Sequence, residues 1–265
     1  MSTIAETLHT ATMNTSSTVP PLVTDELSVL SSMVPLADQH IIELGCGSAR
    51  LARQLLERYP GSQVTGLETD TRQHAKNLAA PQERLTFILA GAQGIPLADA
   101  AFDLALMLKS LHHVPIPLMR QALAEVARVL RNGGHLYVSE PVYAGPLNDI
   151  VRVFNDEGPV RLAAQHAVDD AVASPAWVQV AERRFDMPVH FKDFADFERR
   201  MMYPTFADHH VDAHITAEVR KRFEPHCTDD GARFTRPMHV RLLQKQPHAL
   251  RDSEKGVKLT HTRSR

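Results

Sequence analysis

One loop stands out for the chemistry it could do: Glu43-Leu44-Gly45-Cys46-Gly47-Ser48-Ala49-Arg50, between an apolar run and a helical stretch. A glycine turn joining a strand to a helix leaves backbone bare at the positive end of the helix, and a ligand can rest against it. A dinucleotide loop asks for G-x-G-x-x-G; here Gly45 and Gly47 are followed by Ser48, Ala49 and Arg50. Glu43, two residues before the first glycine, suits a cationic ligand better than a pyrophosphate. Glu68 ends the next apolar run, 23 residues after Gly45, where a carboxylate can accept both hydroxyls of a ribose.

Other groups invite two readings each. His112-His113 follows an apolar run, and histidine can act as a base near neutral pH; the pair can equally pack a loop and bond its backbone. Glu140, and more weakly Tyr143, could orient a substrate or bond the same loop. His209-His210-Val211-Asp212-Ala213-His214, with His226 and Cys227, has metal-ligating residue types. Its spacing gives no secure helical pair, so the reading is a polar turn with Asp212 capping a helix, and no metal is expected. Phe197–Pro204 mixes aromatics, methionines and arginines. It either closes over a substrate, with Arg199 or Arg200 meeting a carboxylate or phosphate, or is a core-facing helix with a solvated basic face. Val151–Phe154 and Arg161 admit the same lid reading.

The elements that must position these groups alternate. Strands are expected at His40–Leu44, Gln63–Leu67, Leu85–Leu89, Phe102–Leu108 and Leu136–Ser139, and helices at Ala49–Tyr59, Thr71–Ala79 and Pro117–Leu130. Asp103 is the one charge inside the fourth strand, and Asn132-Gly133-Gly134 stops the third helix. This rhythm means βαβ units and a parallel sheet with helices on both faces. A short helix from Thr24 precedes it. After residue 141 the rhythm breaks into helical stretches at 146–172, 194–202 and 215–223 and two strands, Phe185–Phe191 and Met238–Leu243. The boundaries read as a flexible tail over 1–23, one domain over 24–245 (a core over 36–140 and a substrate or lid region over 141–235), and a flexible tail over 246–265.

Composition narrows the classes. The chain has 265 residues, 43% apolar, enough to build a core and to exclude a wholly disordered chain. A net charge of −2 argues against a nucleic-acid coat. Two cysteines, Cys46 and Cys227, are too few for a disulfide framework or a four-cysteine zinc site and fit a reducing cytosol. No apolar run reaches the roughly 18–20 residues of a membrane span, and the N-terminus lacks the pattern of a secretory signal.

In their order and spacing, Glu43–Gly47, Glu68, Gly91–Leu97, Ala101–Leu104 with Leu111–Val114, and Arg128–Gly134 resemble the class I S-adenosylmethionine-dependent methyltransferases, of the quinone and sterol methyltransferase-like small-molecule branch. The resemblance covers about residues 36–140. It implies a Rossmann-like, seven-stranded, mostly parallel sheet with helices on both faces. The last two strands form an antiparallel hairpin holding a helical insertion, a lid in the C-terminal half. It places S-adenosylmethionine, and its product S-adenosylhomocysteine, against Glu43, Gly45, Cys46, Gly47, Glu68, Gly91, Ala92, Gln93, Leu108 and Lys109. His113, His112 and Glu140 are the candidate catalytic residues. Two positions depart from the family pattern: Ala49 stands for a third glycine, and Gly91 for an Asp beside the adenine amino group, a task left to Gln93 or a backbone carbonyl. The implied activity is methyl transfer to an O, N, C or S atom of a small metabolite, by a cytoplasmic monomer or homodimer, with no nucleic-acid partner expected. An RNA or protein methyltransferase and a non-catalytic cofactor-binding module are the alternatives.

Overall fold

The computed structural model describes residues 19–203 and 209–247, so the expected tails fall mostly outside the described residues. Strands β1 (His40–Leu44), β2 (Gln63–Glu68), β3 (Leu85–Leu89), β4 (Phe102–Leu108) and β5 (Leu130–Pro141) lie parallel. They join β6 (Trp177–Phe191), β7 (Cys227–Thr228) and β8 (Gly231–Lys245) in one sheet of order β3-β2-β1-β4-β5-β8-β6. β8 runs antiparallel between β5 and β6, so the expected hairpin is present and its two strands are longer than their apolar cores. The two-residue β7 pairs with the start of β8 and makes the sheet eight-stranded rather than seven-stranded.

Two apolar faces explain why the sheet is covered on both sides. On one face α4 (Met119–Val129) and α6 (Gly158–Ala173) bury Leu123, Val126 and Val168 against Ile42, Ala105 and Val138. On the other, α1 (Glu26–Met33) and α2 (Arg50–Arg58) bury Leu27, Leu30, Leu55 and Leu56 against Ile41, Leu104 and Tyr137. Each such leucine contributes about 1.5–3 kcal/mol. The helix α3 (Thr71–Leu78) is capped by Asp70, whose carboxylate accepts the Arg72 N–H at 2.9 Å. Asp103 also has a local purpose: at the start of β4 it accepts the His40 N–H at 2.9 Å and pairs with Arg131. β5 begins six residues before the apolar run that marks it in sequence, because Leu130 pairs with Phe102 before the register shifts across residues 131–134 and resumes at His135.

The region between β5 and the end of β8 has a core of its own. Helices α5 (Pro146–Val151), α7 (Phe194–Phe197) and α8 (Ala213–Phe223) close over Phe191, Phe197, Phe223 and Phe234. Beyond α7 the chain widens into a π turn over Glu198–Met202. β5 ends at Pro141, opposite Met238, so β8 residues before Met238 overhang the carboxyl edge of the parallel strands and pair with β6 and, at their start, with β7. The stretch 21–23, placed in the tail by its sequence, pairs with β6 through Val23 N–H to the Asp186 carbonyl at 2.8 Å and Asp186 N–H to the Pro21 carbonyl at 2.9 Å.

The two loop glycines carry unequal burdens. Both have positive φ, +68° at Gly45 and +52° at Gly47, yet a Cβ on Gly45 would stand 2.8 Å from the Ser110 Cβ while one on Gly47 would meet nothing within 4 Å. Gly45→Ala is expected to cost about 2–4 kcal/mol, combining left-handed strain and overpacking. Gly47→Ala is expected to cost about 1–2 kcal/mol from strain alone. Urea unfolding of the two variants reads the difference; equal losses would mean that the close approach to Ser110 is absent.

Candidate active site

The site lies at the carboxyl edge where the sheet order reverses, β1 between β2 and β4, the place where open α/β sheets bind ligands. The loop after β1 is pinned from three sides. Cys46 N–H donates to the Leu67 carbonyl at 2.9 Å, Gly47 N–H to Glu68 Oε2 at 2.8 Å, and Asn77 Nδ2 to the Gly47 carbonyl at 2.8 Å. Glu68 Oε1 accepts the Thr69 and Asp70 N–H groups, each at 2.8 Å. Three of the roughly four acceptor positions of this carboxylate are therefore occupied by backbone. One remains on Oε2, enough for one hydroxyl, where the sequence reading expected two.

Beside the loop sits a buried polar cluster. Glu43, Leu106 and Tyr137 are in register across β1, β4 and β5. Glu26 on α1 reaches in from above and accepts from Lys109 Nζ at 3.0 Å. Glu26 Oε1, Glu43 Oε2 and the Ser110 hydroxyl are buried without a close hydrogen-bond partner, and the Tyr137 hydroxyl approaches Ser139 and Glu26. Each such group costs about 1–3 kcal/mol if left unsatisfied. Burial pushes the Glu43 carboxyl up to about 8, against the pull of Lys109. The donor set fits the ammonium and sulfonium end of S-adenosylmethionine: acceptors, one proton to give up, and no fixed cation beyond Lys109, which Glu26 balances.

A cavity of about 240 Å³ opens next to this cluster, between Lys109, the histidine pair and the region after β5. His112 is buried and its Nδ1 pairs with Glu140 Oε2, while Glu140 Oε1 accepts the Leu111 N–H at 2.9 Å. Glu140 thus holds the loop with one oxygen and orients His112 with the other. His113, its ring 4.1 Å from that of His112, is open to the cavity. Burial, then the neighbouring His112, hold His113 below the usual histidine range, so it is neutral at pH 7 and able to accept a proton. His112, His113 and Glu157 present ligand atoms within 4.8 Å of one another, the closest approach to a metal set among the described residues. Glu157 is, however, paired with Arg161 at 2.5 Å, and that charge opposes a cation.

The other sequence candidates fall into place around this frame. Gly91, Ala92 and Gln93 form the turn after β3, with the Gln93 side chain folded back over Gly91. The Cys46 side chain packs against Gly66 rather than into the cavity, and burial raises its thiol pKa. Leu108 and Lys109 end β4 beneath α1, with Lys109 in the left-handed region at φ 56°. Tyr143 donates to Asp156 at 2.6 Å. Arg199 and Arg200 both pair with Asp196. Asp212 caps α8 by accepting the Ile215 N–H at 2.8 Å, while His226 packs on Phe234 and His209 against Phe154. Sequence reasoning missed Glu26, Asn77, Tyr137, Glu157 and Arg236, all single polar residues whose meaning depends on what the topology sets beside them.

Comparisons with known proteins bear on the fold and on the domain that carries this site. Residues 42–138 match the family described as a methyltransferase domain. An O-methyltransferase of Penicillium expansum is 34% identical over 142 residues, 51% of this chain and 49% of that protein. A demethylmenaquinone methyltransferase of Chlamydia trachomatis is 33% identical over 103 residues, 38% of this chain and 44% of that protein. The matched part thus spans about half the length of these relatives or less. Among solved structures, the YcgJ protein of Bacillus subtilis aligns with a TM-score of 0.59 at 17% identity, covering 83% of this chain and 98% of that one. A methyltransferase of Methanosarcina mazei aligns with a TM-score of 0.51 at 16% identity, covering 82% and 97%. Residues 42–138 thus match a methyltransferase domain, and the sheet, with its inserted antiparallel strand, has the fold of these solved structures.

Proposed function

We propose that this protein binds S-adenosylmethionine at the carboxyl edge of β1 and β4 and methylates a small molecule held in the adjoining cavity. The observation that carries the reading is the cluster of buried, unpartnered acceptors around Glu43 and Glu26, next to a glycine loop that leaves backbone exposed. When bound, the cofactor supplies a methyl group on a sulfonium. Glu43 and Glu26 hold the cationic end. Gly45 and Gly47 let the ligand lie on backbone, and Glu68 takes one ribose hydroxyl while keeping the loop in place. In-line displacement needs alignment and exclusion of water more than it needs a catalytic group, and the lid helices provide the enclosure. An oxygen acceptor is favoured: neutral His113 faces the cavity and can take its proton, and the relatives include O-methyltransferases.

The state of Glu43 gives this reading a pH signature. With a pKa of about 8 the carboxyl keeps its proton at pH 7. A cation placed beside it favours the carboxylate, so binding releases a proton. Affinity for S-adenosylhomocysteine, whose ammonium occupies this end, is expected to rise from about pH 6 to pH 8 and then level off, by at most about tenfold per pH unit. Glu43→Gln should flatten the profile and weaken binding. For folding the sign is opposite: the native carboxyl holds a proton that the unfolded one has lost, so this group lowers stability as pH rises from about 4.5 to 8. The variant should therefore be more stable than the wild type above pH 7. Calorimetric titration across pH, with thermal unfolding alongside, checks both; a pH-independent wild-type affinity would remove Glu43 from the cation site.

For an acceptor found by screening metabolites for a mass shift of one methyl group, His113→Asn is expected to lower turnover about 10²- to 10⁴-fold while changing cofactor affinity less than twofold. Unchanged turnover would mean that the acceptor needs no base, as an amine or thiolate would not.

A further inference from the structure

Among the described residues four Lys and Arg side chains line the cavity, and all but Arg236 are ion-paired. Lys109 pairs with Glu26. Arg161 pairs with Glu157 and also donates to Asn148 Oδ1 at 3.1 Å. Arg200 pairs with Asp196 at 3.0 Å, donates to the His190 carbonyl at 2.8 Å and lies over the Phe191 ring. Arg236 also lines the cavity, and among the described residues nothing accepts a hydrogen bond from it. Burial, then the nearby Arg161, lower its pKa; Glu157 works the other way, and Arg200 adds to the lowering. It sits on β8 two residues before Met238, in the overhang beyond the end of β5. Arg236 is only partly buried, and its guanidinium nitrogens are not among the fully buried unpartnered atoms, so they are open to the cavity, where a ligand's anion can reach them.

Resting on the methyl-transfer reading above, we infer that the acceptor is a small monocarboxylic acid whose carboxylate pairs with Arg236 in this cavity. Among the described residues Arg236 is the one Lys or Arg on the cavity wall with no ion pair, so an anionic group suits it. The guanidinium fork matches a carboxylate's two oxygens. The volume of about 240 Å³ lies below that of drug-sized sites, which suits an acid of one ring or less. A divalent cation on His112, His113 and Glu157 is the competing occupant, and Arg161 and Arg236 both oppose it.

The test uses acetate, benzoate and cinnamate, each with its neutral amide, together with phenyl phosphate and zinc ion, on the full chain saturated with S-adenosylhomocysteine at fixed ionic strength. At least one carboxylate is expected to bind the wild type tenfold or more tightly than its amide, and to lose that advantage in Arg236→Met, while S-adenosylhomocysteine binds the variant within twofold of the wild type. The amide comparison needs only the wild type, so it decides even if the variant folds poorly. Equal binding of every acid and its amide overturns the inference. So does undiminished carboxylate binding to Arg236→Met, tighter binding of phenyl phosphate than of benzoate, or zinc ion displacing the acids. Failure of S-adenosylhomocysteine to bind the wild type overturns the methyl-transfer reading and with it the acceptor role; its binding without any carboxylate preference overturns the acid assignment alone.

Discussion

The site hangs on one carboxylate. Glu68 accepts backbone N–H groups from Gly47 in one loop and from Thr69 and Asp70 in the next. It therefore ties the turn after β1 to the turn after β2, and fixes both against the sheet. Hydrogen bonds to a charged acceptor are worth about 1.5–3 kcal/mol each, enough to hold a loop whose two glycines would otherwise be free to sample both signs of φ. Asn77 completes the clamp by holding the Gly47 carbonyl from α3. With the loop immobile, the path of Gly45 against Ser110 is set.

The remaining architecture supplies charge around that fixed loop. The parallel strands deliver Glu43, Lys109, His113 and Glu140 to one edge, because every crossover returns the chain in the same direction. α1 adds Glu26, and the overhanging hairpin adds Arg236. The result divides by sign. The β1 side, under α1, holds two carboxyl groups against one lysine. The β8 side carries a guanidinium in excess. A cationic donor and an anionic acceptor placed in these two environments would meet near His113. Each half holds a group that a ligand of opposite charge would stabilise: a carboxyl that burial keeps protonated at pH 7, and an arginine with no ion pair among the described residues. Such local conflicts are expected where binding rather than stability set the residue.

Much of the fold was legible in the sequence because the strands and helices have clear periods and the glycines sit at their junctions. The strand–helix alternation from His40 to Ser139 needs no tertiary knowledge. The hairpin was legible only in its apolar halves: Trp177–Arg184 and Gly231–Pro237 alternate too weakly to mark strands until they pair. The start of β5 was hidden because Arg131–Gly134 reads as a helix stop, and the pairing of Leu130 with Phe102 is nonlocal. In the site, the glycine loop and Glu68 announced themselves by position. Glu26 did not, since Asp25 beside it already accounts for the helix cap. The sequence offers Arg199 and Arg200 as anion-binding arginines, but their partner Asp196 lies three and four residues away on the same helical stretch. Arg236 has no such neighbour, and only the topology shows that it is left unpaired.

The most direct measurement pairs two readings on Glu68→Ala: calorimetric titration with S-adenosylhomocysteine, and thermal unfolding of the ligand-free protein. A carboxylate that both ties the loop and holds a ribose hydroxyl should fail in both. Affinity is expected to fall at least tenfold, about 1.4 kcal/mol, and apo stability by about 1–3 kcal/mol for the backbone donors left unpaired. Stability lost with affinity intact would contradict this, and would make Glu68 a part of the scaffold only.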